Sequence, residues 1–281
     1  MTQTFPIEPL VLAPGGYRPR SSIYYVEPGY SLRMIQGRMK KVDAHGLELA
    51  DLGAPPRLPA GLPVMPRQLV QGRTVGSGWI VYTDYTNLGA PVRTFKTSWT
   101  VPPAPTAHSG QLLFLFNGIQ NSSQILQPVL QWGSSHAGGG NFWSVGSWQV
   151  GGRQGQAFHS KLVKVHPGDR LTGVIKLLEQ SAAGFSYHCS FAGIDDTELD
   201  TQTEEELTWC VETLEAYRIT GSDDYPNTES TRFSEITLQR TDGVKPLLEW
   251  QDVDRVTDLG QDAEVVSQSN PGGVVDIHYR D

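Results

Sequence analysis

In the stretch LTWCVETLEAY (207–217) two carboxyl groups, Glu212 and Glu215, and one thiol, Cys210, sit among apolar and aromatic residues. Read as a strand, it puts Cys210, Glu212, Leu214 and Ala216 on one face and Trp209, Val211, Thr213, Glu215 and Tyr217 on the other, because side chains alternate. Whichever face is inward, a carboxyl lies among apolar neighbours, where its ionised form is disfavoured and its pKa rises. That is the property of an acid or base catalyst working near or below neutrality. The alternation is also compatible with either glutamate pointing to solvent. A second polar group in a β-rich stretch is Gln127, in SQILQPVLQW, on one face with Ile125, Val129 and Gln131. An amide there can donate a hydrogen bond to a developing oxyanion. Cys210, two positions from Glu212 and on its face, offers a nucleophile, although no histidine stands near it in sequence.

Other chemistries lack their residues. There is no GxSxG elbow, no HExxH, no phosphate-cradling glycine loop and no CxxC, and the seven histidines are scattered without metal-ligand spacing. No metal and no cofactor is called for. With 30 acidic against 22 basic residues the net charge is -8, which argues against a nucleic-acid partner, since phosphate binding needs clustered positive charge. No run of about 18 apolar residues exists to span a membrane. The opening MTQTFPIEPLVLAPGG has neither a basic n-region nor an unbroken apolar h-region, so no secretory signal is read. Cys189 and Cys210 allow at most one intramolecular disulfide.

The elements that must position these groups change character along the chain. Residues 1–75 carry 9 basic and 5 acidic residues, 10 of the 19 prolines and no tryptophan. Closely spaced prolines in LGAPPRLPAGLPVMPR forbid helix interior and central strand alike, so this basic segment reads as loosely attached, with short strands or one short helix between residues 23 and 52. From residue 76 short alternating runs rich in β-branched and aromatic residues recur every 8–12 residues or so between Gly, Pro, Asn and Asp. GWIVYTDY, VRTFKTSWTVP, GQLLFLFNGI, NFWSVGSWQV and FSEITLQR are examples. No segment sustains a 3.6-residue apolar period, so the expected fold is an all-β antiparallel sandwich over 76–281. The loop GSSHAGGGNFW (133–143) reads as a mobile flap or a tight crossing beside a groove.

Several pieces in this order resemble the glutamic peptidases, the acid-active β-sandwich endopeptidases also called eqolisins. GSGWIVYTDY followed by SWTVPPAP is similar to the family's opening strands, FNGIQNSSQILQ to its Gly-Ile-Asp-Gly turn and Ile-Leu-Gln, and TWCVETLEAY to the segment that ends in its catalytic Glu. HSKLVKVHPGDRLTGVI and RFSEITL are similar to later strands. The resemblance implies a concanavalin A-like sandwich of two bent seven-stranded sheets whose concave face takes an extended peptide or protein substrate. It places the catalytic Gln on Gln127 and the catalytic Glu on Glu212. That Glu would act as base on a water and then as acid to the leaving amine, while the amide steadies the oxyanion. Phe116, Gln120, Trp132, Trp143, Ser147, Trp148 and Cys210 fall around that groove. Phe116 stands where the family has Trp, Gln120 where it has Asp, and Ser147 where it has an acid. Pro128 follows the candidate Gln, and the family's disulfides and secretory signal have no counterpart.

A second reading is a non-catalytic module of lectin type that binds glycan or peptide through Trp132, Phe142, Trp143 and Trp148. A glycosidase would need a second acid facing Glu212, and Ser147 removes the position that would offer one. The charge split adds an expectation: the basic leader docks over the acidic groove as a propeptide-like cover, held less firmly as groove carboxylates protonate.

Overall fold

Strand 92–100 shows how alternation becomes a layer: Phe95, Thr97 and Trp99 are buried, while Arg93 and Thr100 are exposed. Its neighbour in chain order, Leu112–Gln120, is buried at every position, which a strand shows only when both faces of its sheet are covered. A computed structural model describes residues 8–54, 78–151, 155–254 and 259–280, and its two main sheets explain both patterns.

The first sheet has nine strands. Across it run Gln251–Asp254, Gly78–Thr86, Trp209–Tyr217, Leu112–Gln120, Gln124–Ser135, Gly138–Gly151, Ala157–His159 and Ile23–Tyr25, with Val163–Lys164 paired to Gly138–Gly151. The second sheet has ten strands and holds Val92–Thr100, Arg170–Ser181 and Gly184–Phe191 at its centre. No α-helix occurs among the described residues. The sheets pack face to face as a sandwich around one apolar core that includes Phe95, Trp99, Leu115, Leu130, Leu214 and Phe233. Trp99 lies edge-on to Phe191 and tilted against Phe233, with ring centroids 5.7 and 5.0 Å apart, a geometry favoured by the ring quadrupoles.

The sheets nearly touch at Gly173. A Cβ there would lie 2.4 Å from Asn117 Oδ1 and 2.7 Å from Pro128 Cγ, both on the opposite sheet. Gly173→Ala is expected to destabilise the protein by roughly 1–3 kcal/mol, the usual cost of overpacking, read as a lowered urea midpoint at unchanged slope. An unchanged midpoint would show that the sheets can part there without cost.

Residues 10–53 correct the expectation of a loosely attached leader. Ile23–Tyr25 pairs in parallel with Ala157–His159, and Ser31–Ile35, Arg38–Val42 and Glu48–Gly53 extend the second sheet beyond Leu199–Thr203. Unpaired N–H and C=O groups on a sheet edge are a template for a further strand, and these residues occupy that edge. They carry each sheet past the seven strands implied by the family resemblance. Residues 10–19 form a separate hairpin, Leu10–Ala13 with Gly16–Pro19. Most of the proline-rich stretch 52–67 lies outside the described residues. The glycine-rich loop 133–143 is a tight hairpin in which only His136 and Ala137 separate two long strands. The ladder shifts register between Trp132 and Gly133, where Gly133, at φ +92°, adopts a left-handed conformation and a Cβ would lie 2.2 Å from the Gln111 carbonyl oxygen.

Candidate functional site

Register decides which side chains meet. Strand 209–217 pairs with 112–120 so that Glu212 opposes Asn117, Thr213 opposes Phe116 and Glu215 opposes Phe114. Strand 124–135 pairs with 112–120 through Ile125 and Gln120, Leu126 and Ile119, and Val129 and Phe116, without a shift. Leu126, Leu130, Leu115, Ile119, Cys210 and Leu214 all belong to the core between the sheets. Ile125, Val129, Phe116, Val211 and Tyr217 belong to a second apolar cluster, on the outer face of the first sheet.

These parities separate the two residues that the family resemblance makes a catalytic pair. Gln127 lies on the outer face, opposite Trp148 on the next strand. Glu212 points the other way, into the sandwich, where Thr97 of the second sheet donates its hydroxyl to Glu212 Oε1 at 2.5 Å. A sheet thus stands between the amide and the carboxyl, and no common water can serve both. The expected groove residues divide the same way. Phe116, Gln120 and Trp148 share the outer face with Gln127, whereas Cys210, Trp132, Trp143 and Ser147 share the inner face with Glu212.

Trp132 and Trp143 are therefore core residues, packed edge to face at 5.4 Å, and not a lining for substrate. Cys210 is fully buried, and desolvation with the neighbouring Glu212 carboxyl pushes its thiol well above its ordinary pKa. It cannot supply a thiolate nucleophile. Cys189 is likewise a free, buried thiol, pushed up to about 12 by burial.

Glu212 itself sits in a polar pocket of the core that sequence reading missed. Thr83 and Asn117 flank it on the neighbouring strands. Glu212 Oε2, the Thr83 hydroxyl and both polar atoms of the Asn117 amide have no hydrogen-bond partner. Burial drives the Glu212 pKa well above the ordinary value, against the opposing pull of the Thr97 hydrogen bond. A neutral carboxyl is the form that such a site tolerates.

The carboxyl on the outer face is Glu215. It is fully buried because the hairpin 10–19 lies over it: Leu12 and Ala13 join the outer cluster with Trp79, Phe114 and Tyr217. Gly15 donates its backbone N–H to Glu215 Oε1 at 2.8 Å, and the Tyr217 hydroxyl donates to the same oxygen. Burial raises the Glu215 pKa to about 7 in spite of those hydrogen bonds and the nearby Arg18 charge. Arg18, 1% exposed, donates to the carbonyl oxygens of Gly155 at 2.9 Å and Gly151 at 3.4 Å. His136 N–H donates to Leu12 O at 2.9 Å and closes the hairpin's other side.

Along the outer face the rows run Glu215, Phe114, Gln131 and Ser144, and further on Val211, Gly118, Gln127, Trp148 and His159. Gln127 stands two strands and four residues from Glu215, roughly 16 Å away at ordinary sheet spacings. Both polar atoms of Gln120 and of Gln127 are buried without partners, as is the Thr213 hydroxyl. Gln131 spends its amide N–H groups on Gly133 O and Gly138 O. His159 lies tilted against Trp148, with ring centroids 4.7 Å apart, and burial lowers its pKa to about 4. Glu215 was visible in the sequence as the alternative carboxyl of its strand. Arg18 and His159 carried no local signal.

One trio among the described residues has metal-ligating atoms within 4.8 Å of one another: Glu264, Asp276 and His278. Arg232 already holds the Asp276 carboxylate through two hydrogen bonds, at 2.8 and 2.7 Å, so the trio is better described as an ion-pair network.

No family model matches the chain, and no curated protein matches it. Two solved structures are similar to it in fold. One is Scytalido-glutamic peptidase with a peptide-based transition-state analogue: TM-score 0.48, 16% identity, 73% of this chain and 100% of that one. The other is SCP-B, a member of the eqolisin family of peptidases, in complex with the tripeptide Ala-Ile-His: TM-score 0.43, 15% identity, and again 73% and 100% of the two chains.

Proposed function

We propose that the outer face of the first sheet binds an extended peptide and that the chain is a peptidase-like hydrolase in which Glu215, not Glu212, faces the substrate. The observation that carries this reading is the Gly15 N–H held on Glu215 Oε1: a peptide nitrogen already occupies the place where a substrate amide would sit. With a pKa of about 7, Glu215 holds a proton through the acid range and has it to give to a departing amine. The partnerless amides of Gln120 and Gln127 and the faces of Phe116 and Trp148 supply hydrogen bonds and apolar contact along the same face. Here the hairpin 10–19 is a cover of that face, in keeping with the propeptide-like role expected of the leader.

Turnover of an unstructured protein substrate between about pH 3 and 7 tests this. Glu215→Gln is expected to lower kcat by 10² to 10⁴, the usual worth of a positioned proton donor. Loss of turnover in Glu212→Gln, with the fold intact by circular dichroism, would instead return the role to the inner carboxyl. The separation of Gln127 from Glu212 favours one further reading, a peptide-binding sandwich without turnover. Saturable binding of peptides with no cleavage at any pH would establish it.

A further inference from the structure

At the far end of the outer face a pocket opens whose charge runs against that of the chain. Arg20, His136, His159, Lys161 and Lys164 line it, together with aromatic walls from Tyr25 and Phe142, and no Asp or Glu is among its lining residues. Burial holds the His136 and His159 pKa values below the ordinary range, so the charge of the pocket is carried by its lysines and arginine; in a chain of net charge -8 that local excess of positive charge suits an anion. Lys161 is paired with Asp196 at 2.5 Å, outside the lining. Lys164 lies 4.9 Å from the centre of the Phe142 ring, and Arg20 has no ion-pair partner among the described residues. His159 donates from Nδ1 to Ser160 O at 2.7 Å, which leaves Nε2 as its remaining polar atom.

The pocket lies in register with the proposed peptide face. Gln127, Trp148, His159 and Tyr25 oppose one another in register on four successive strands, so His159 stands about 10 Å from Gln127 at ordinary strand spacing. Roughly three residues of extended peptide cover that distance.

We propose that this pocket binds a carboxylate of the peptide ligand, with Arg20 and Lys164 as its charge partners and Tyr25 and Phe142 packing the aliphatic part. The inference rests on the peptide-binding reading for its ligand class, but the pocket can be tested apart from it. Side-chain carboxylates and a free C-terminus share this chemistry, and the two are separable.

The first measurement is titration with N-acetylglutamate α-amide, which carries one carboxylate, against N-acetylglutamine α-amide, which carries none, at pH 6 and low salt, followed by calorimetry. Saturable binding of the glutamate compound, at least 10-fold tighter than the glutamine one and lost in Arg20→Glu and Lys164→Glu, is the expected result. Both side chains are exposed, so the variants should fold. Equal or no binding of the two compounds overturns the proposal. The second uses three blocked octapeptides: one with an internal Glu, one with Gln there, and the Gln peptide with a free C-terminal carboxylate. Preference for the first assigns the pocket to a side chain; preference for the third assigns it to a chain end. Peptides that bind with no preference for either carboxylate overturn the pocket while the groove stands. N-acetylglutamate α-amide that binds where no peptide does sustains the pocket and overturns peptide binding by the outer face.

Discussion

Replacing Glu215 by Gln should stabilise the protein by about 3 kcal/mol at pH 7 relative to its effect at pH 4. The native carboxyl holds its proton up to about pH 7, against an ordinary value of 4.5. Between those values the unfolded chain has released a proton that the native protein retains, so the free energy of unfolding falls as pH rises, by about 1.4 kcal/mol per unit. The stability linked to this group is therefore fully present below pH 4.5, falls through the interval and levels off above 7. Gln keeps an oxygen to accept from Gly15 and Tyr217 and does not titrate. His159 works in the opposite sense. Its pKa is lowered from 6.5 to about 4, so the stability it contributes is present above 6.5 and is lost as pH falls toward 4. The two slopes offset each other in the wild-type protein, and only the difference between variant and wild type isolates Glu215. Urea unfolding at half-unit steps from pH 4 to 8 gives that difference; a flat one would mean that Glu215 is not held neutral. Glu212→Gln should show a gain of the same sign as pH rises, because burial raises its pKa well above the ordinary value as well.

Arg18→Ala should free the hairpin from the outer face of the first sheet. The guanidinium is buried beside the Glu215 carboxyl and binds the backbone carbonyls of Gly151 and Gly155. Removing that donor leaves two buried carbonyl oxygens unpaired, at about 1–3 kcal/mol each. A two-stranded hairpin has little stability of its own, so the loss should open residues 10–19 rather than unfold the sandwich. Hydrogen exchange at the Gly15 amide is expected to rise at least 100-fold, since about 1.4 kcal/mol is a factor of ten, with exchange in 112–120 unchanged. Peptide affinity should rise with it, as the cover no longer competes for the outer face. Unchanged exchange at Gly15 would show that the apolar contacts of Leu12 and Ala13 hold the hairpin by themselves.

Much of the architecture was legible in single strands. Alternation in VRTFKTSWT predicts Phe95 and Trp99 on one face, and they are core residues. The parity of LTWCVETLEAY correctly divides Glu212 from Glu215, and that of SQILQPVLQW correctly groups Gln127 with Ile125 and Val129. The expectation that one of the two glutamates could point to solvent fails because the sheet is covered twice, by the second sheet and by the hairpin. Nothing within residues 207–217 records the presence of a cover supplied some 200 residues earlier in the chain.

The family pattern could not be tested within any one segment. Parity is local: it follows from the pleat of a single strand and can be read residue by residue. The phase between strands is set by register, because a slip of one residue exchanges the two faces. Pairing through strand 112–120 opposes Glu212 to Asn117 and Val129 to Phe116, and that alignment puts the Gln127 amide and the Glu212 carboxyl on opposite sides of a sheet. The sequence by itself determined that the protein is built of β-strands and which side chains lie together along each. The tertiary structure decided which of those faces meet and which carboxyl lies under the hairpin, because register and covering layers arise from contacts between distant segments.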